Sequence, residues 1–170
     1  MKFDLFELTV LQFIRSLSAL SDLLDKAATF ASSRKISDEV MLQTRLAPDQ
    51  FPLSKQVQIA CDNAKLSVSR LTDIQAPVFE DTEKTFSELK VRIQKTIDFL
   101  KSVPASAYTE ASEQKDISFW WNPGHTLSAR NYVIEYLLPN FYFHFTTAYS
   151  ILRSCGIELG KNDYLRLSWK

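Results

Sequence analysis

The chain has 170 residues, 45% of them apolar and 24% charged, which is the size and composition of one globular domain with a single core, residues 1–170. Twenty basic side chains balance twenty acidic ones without a run of like charge, so nothing holds a polyphosphate backbone and nucleic acid is not an expected partner. No window approaches the roughly 18 consecutive apolar residues of a membrane span, so no membrane association is expected. The low cysteine count, Cys61 and Cys155, points to a reducing compartment and the cytoplasm.

The N-terminal stretch is interrupted by Asp4, Glu7 and Arg15, so it reads as a mature helix and not as a signal peptide. From Phe6 the apolar positions Val10, Phe13, Leu17, Leu20, Leu24, Ala27 and Ala31 step by four and three, the spacing that keeps one stripe against a neighbour. A polar break at "SSRK" ends this first helix. In the following linker Ser37 starts a short helix and two prolines force extended chain, giving a connection long enough to cross the end of a bundle.

A second helix begins near Ser54 with Val57, Ala60, Cys61, Ala64, Val68 and Leu71 on one side, its small residues allowing close approach of a neighbour. A third follows "FEDTEKTF", with Phe86, Leu89, Ile93, Ile97 and Leu100 as its stripe and Pro104 as its stop. "KDISFWWNPGHTLSA" alternates apolar and polar residues around an Asn-Pro-Gly turn, which predicts a β-hairpin. The fourth helix starts after Ser128, must kink or restart at Pro139, and ends at Gly156. The fold predicted is an all-α four-helix bundle with a long crossover after helix 1 and a small β-hairpin insert before helix 4.

His144 lies about 60° from the centre of its helix's apolar stripe, so its ring points toward the bundle interior or its edge. It is either a core histidine hydrogen-bonded to a neighbour or part of a polar site between helices. Cys61 and Cys155 sit on apolar faces, where a thiol is ordinarily a small core residue. Trp120 and Trp121 are consecutive, so a strand sends them to opposite faces and one of them needs a partner outside its own hairpin; both are interface candidates.

The blocks "RLAPDQFPLSKQVQIACDNAK", "FEDTEKTFSELKVRIQKTIDFL" and "PNFYFHFTTAYSILRSCGIELGKNDYL" resemble those of an uncharacterised bacterial and fungal family of the DinB-like, or DinB/YfiT-like, four-helix bundles. The resemblance implies a superfamily in which many members bind a divalent metal through a histidine on the second helix and an H-x-x-x-H pair on the fourth, some are thiol-dependent transferases or isomerases, and many dimerise. The second-helix position falls at Asn63, where the family pattern has "CDHAK", and the fourth-helix pair at His144 and Ala148. With two histidines in all, the other being His125 in the turn, no three-histidine zinc or nickel site can form within one chain. A mixed site would need Asp62, Cys61 or Tyr149 beside His144.

No cofactor is therefore expected, with zinc or nickel at such a mixed site as the alternative. The function expected is binding of a small apolar ligand in an interhelical pocket, with His144, Asn63 and Tyr149 as candidate pocket residues. The rivals are a metal- or thiol-dependent transferase or hydrolase of the DinB/YfiT type, and a dimeric interaction module without catalysis.

Overall fold

The computed structural model describes residues 4–119 and 121–167. Trp120, one of the two expected interface residues, lies outside them. Four long helical segments form the bundle: α1 (Gln12–Arg34), α3 (Leu53–Leu71), α4 (Phe86–Ser102), and α7 (Leu138–Ser154) with the helical chain that leads into it. Short helices α2 (Asp38–Leu42), α5 (Glu110–Glu113) and α8 (Lys161–Leu165) close its ends.

The helix boundaries follow local chemistry. Ser37 and Ser128 accept hydrogen bonds from Val40 N–H and Asn131 N–H, capping α2 and α6 (Ala129–Asn131). Thr85 and Glu88 form a reciprocal capping box at the start of α4. α1 ends without glycine or proline: Lys35 takes the left-handed conformation (φ 56°) and Ile36 N–H returns to the Ala31 carbonyl at 2.9 Å. Gly156 (φ 91°) follows α7, the conformation that glycine adopts without strain.

Pro139 neither breaks nor restarts its helix. The helical path runs unbroken from Ala129 to Ser154 because Tyr132–Leu137 forms a widened turn with i→i+5 bonds, such as Leu138 N–H to the Val133 carbonyl. Widening the turn accommodates a residue that has no N–H to donate and whose ring would clash with the preceding turn of a regular α-helix.

Directions follow from contacts between distant residues. Phe13 packs on Phe141 with ring centroids 4.3 Å apart and Gln12 donates to Tyr142 at 2.6 Å, so α1 and α7 start at the same end. α3 and α7 run antiparallel, as shown by the pairs Gln56–His144 and Asn63–Asn140. The connection after α1, residues 35–52, caps one end and holds α2. A second long connection, 72–85, runs back along α3: Ala76 N–H bonds Ser69 Oγ, Phe79 lies against Lys65, Glu83 meets Gln58 and Asp81 meets Lys55. It returns the chain to the end where α3 began, so α4 runs parallel to α3.

The interior is a continuous apolar core, with Leu17, Leu20, Leu24, Val57, Leu89, Phe141 and Leu152 fully buried. Each such leucine contributes roughly 1.5–3 kcal/mol relative to an exposed one. Ala60, Cys61 and Ala64 are also fully buried, as expected for small residues that let neighbouring helices close up on α3. The insert pairs β1 (Asp116–Ser118) with β2 (Thr126–Ser128) antiparallel, Ile117 opposite Leu127. Among the described residues no helix is long and apolar enough to cross a membrane.

Candidate functional site

The α3–α7 seam carries a buried polar pair. His144 is 7% exposed, and its Nδ1 lies 2.7 Å from Oε1 of Gln56, which is completely buried. Gln56 has no freedom to present its other end, because its Nε2 donates to the Phe51 carbonyl at 2.9 Å. An amide oxygen only accepts, so the imidazole carries its proton on Nδ1. Burial pushes the histidine pKa down to about 4, which keeps the ring neutral near pH 7. Nε2 has no partner among the described residues and is not among the polar atoms sealed from solvent. The half-exposed Phe143 ring stands edge-on to the imidazole, centroids 5.2 Å apart.

Toward the other end of the seam, Asn140 Nδ2 donates to Asn63 Oδ1 at 3.0 Å, and Asn63 Nδ2 is sealed without a partner. Asn63 thus faces Asn140, one turn before His144, and not Ala148. The position that meets Asn63 is four residues before His144, because the antiparallel register of α3 on α7 moves contacts in opposite directions along the two helices. Ala148 is fully buried in the core.

The remaining expected residues lie elsewhere. Tyr149 points about 140° round α7 from His144 and packs edge-on against Tyr164 at 5.5 Å. Cys61 is wholly buried and its thiol is pushed up to about 12, chiefly by desolvation. Asp62 turns to Arg92 Nη2 at 3.0 Å and Lys65 Nζ at 3.1 Å.

That second cluster escaped the sequence reading. Arg92, 2% exposed, reaches Asp62, Asp81 at 2.9 Å, Glu83 at 2.9 Å and the Glu80 carbonyl at 3.1 Å, and lies over the Phe79 ring. It fastens the 72–85 connection to α3 and α4. The only sequence signal was an arginine adjoining Ile93 in an apolar stripe. Four surface clefts of about 160–570 Å³ are formed by described residues, and His144, Asn63 and Tyr149 line none of these four. Trp121 is 51% exposed and rests on Phe119 and Tyr136, centroids 4.9 and 6.0 Å away, while His125 is exposed in the turn.

Residues 5–165 match the family described as Domain of unknown function (DUF1993). The chain belongs to the DUF1993 family. A solved structure titled as a DinB family member protein from Shewanella denitrificans superposes with a TM-score of 0.92 at 43% identity, covering 98% of this chain and 94% of that one. The DUF1993 chain is thus a DinB-like bundle. Comparison with curated proteins gives no match.

The seam of this DUF1993 chain does not fit the zinc or nickel that the superfamily resemblance implies. Among the described residues no three His, Cys, Asp or Glu side chains converge as metal ligands. The polar side chains hydrogen-bonded across the seam are one imidazole and the neutral amides of Gln56, Asn63 and Asn140, and the oxygens of Gln56 and Asn63 already accept hydrogen bonds. Such metals favour imidazole, thiolate and carboxylate donors.

Proposed function

We propose that this DUF1993 protein binds a small molecule at the α3–α7 seam through His144, without a divalent metal. The observation that carries the reading is the Gln56–His144 pair: a buried, fully amide-bonded glutamine orients one face of the imidazole and leaves the other nitrogen unpartnered. Half-exposed Phe143, whose ring stands edge-on to the imidazole, supplies apolar surface beside that pair. Tyr149 has no part in this site. Thiol chemistry is disfavoured at Cys61, since a thiol held near pKa 12 is almost never the nucleophilic thiolate.

The test is a ligand screen of tag-free protein read at His144, with elemental analysis alongside. Binding lost in His144→Ala at unchanged folding supports the reading. Near-stoichiometric zinc or nickel lost in the same variant replaces it with the metal-dependent one.

A second reading, a homodimeric interaction module, is favoured by Trp121, a large apolar side chain left half in solvent on an aromatic platform. It predicts a concentration-dependent dimer disrupted by Trp121→Ala. The balanced charge and the two unpaired cysteines support a cytoplasmic setting.

A further inference from the structure

If the seam binds a ligand, its hydrogen-bonding polarity selects the chemistry of that ligand. The polarity is set by a relay of three groups: the Phe51 carbonyl accepts from Gln56 Nε2, Gln56 Oε1 accepts from His144 Nδ1, and His144 Nε2 is left with a lone pair and no proton. A backbone carbonyl cannot reverse its role, so neither can the groups that follow it.

We propose that His144 Nε2 acts as a hydrogen-bond acceptor for an uncharged donor, a hydroxyl or an amide N–H, carried on an apolar body. The inference rests on the seam-binding reading and deepens it. A carboxylate or phosphate would set lone pairs against a lone pair. An ammonium would give up hydration without a counter-charge, because Asp62, the acidic neighbour of Asn63, is turned to Arg92 and Lys65. The exposed part of Phe143, edge-on to the imidazole, meets the apolar remainder of the ligand.

The experiment uses the tag-free full chain labelled with ¹⁵N, with phenol as an uncharged donor and benzoate as an anionic acceptor on the same phenyl ring. His125 is the only other histidine, so His144→Asn assigns the ring signals. Long-range ¹⁵N–¹H spectra of the wild type are expected to show Nδ1 protonated and Nε2 bare, with phenol shifting Nε2 and benzoate binding about tenfold more weakly or less, the worth of one hydrogen bond.

Replacing Gln56 by Met removes the acceptor, frees the tautomer and is expected to erase the preference. A wild-type ring protonated on Nε2 overturns the proposal whether or not the variant folds. Benzoate shifting Nε2 as strongly as phenol overturns the ligand class and leaves seam binding standing. If neither probe moves His144 while the tautomer is as stated, the binding reading falls and the ligand class with it.

Discussion

Gln56 Oε1 lies 2.7 Å from His144 Nδ1, across a helix seam and 88 positions away in sequence. Protonating His144 places a cation in that buried site. The pKa is about 4 in the folded chain against 6.5 for the free side chain, so the unfolded state binds more protons between those values. Stability is therefore fully present above about pH 6.5 and is lost as pH falls toward 4. The full loss is on the order of 3 kcal/mol. Denaturant midpoints at pH 7 and pH 5 for wild type and His144→Asn check it, since carboxylates common to both cancel and only the wild type should show the extra fall.

Arg92→Met leaves Asp62, Asp81 and Glu83 converging without their shared cation. Removing one partner of a fully buried ion pair costs about 3–5 kcal/mol, and the loss here should be smaller because Asp62 and Asp81 are a third exposed and keep Lys65 and Lys55. Arg92→Lys should recover only part of this, because an ammonium lacks the fork that reaches several acceptors at once. Urea unfolding measures the cost, and faster proteolytic cleavage within 72–85 would show that Arg92 fastens this connection.

Cys61 should resist thiol reagents in the folded protein, while Cys155, which is only partly buried, reacts first. Counting reactive thiols in buffer and in denaturant checks this. Rapid native labelling at Cys61 would contradict its burial.

Replacing Asn63 and Asn140 by histidine should raise zinc or nickel affinity above that of the wild type. Their amides meet at 3.0 Å and His144 follows one turn on, so three imidazoles would converge. Zinc or nickel per chain in the double variant, and its loss on adding His144→Ala, checks the geometry. Unchanged metal content would mean that the three positions do not share one centre.

Trp121→Ala should shift the protein toward monomer if the hairpin is the dimer contact, with little change in fold, because the side chain is half exposed. Sedimentation over a concentration series reads the outcome. A wild-type protein that is monomeric throughout removes the interaction module.

Helical periodicity is a local property, and it was legible. The stripes from Phe6, Val57, Phe86 and Phe141 located the four helices, Ser37 and Ser128 marked two starts, and Asn122–Gly124 marked the hairpin turn. His144 was placed at the interior by its angle alone, and a count of two histidines ruled out a three-histidine centre before any coordinates. Pro139 was visible as a difficulty but not as a solution, because a wide turn and a kink leave the same trace in sequence.

What only the tertiary structure decided is which residues meet. Neither Gln56 nor Arg92 stands out in the sequence, since each is one more polar residue next to an apolar stripe. Each is buried because a partner from a distant segment satisfies it: His144 for Gln56, and Asp62, Asp81 and Glu83 for Arg92. The pairing of Asn63 with Asn140 has the same origin. A helix's own sequence determines which face is apolar, but its sliding register against a neighbour is set by packing along the whole seam, between residues that the chain keeps some 80 positions apart.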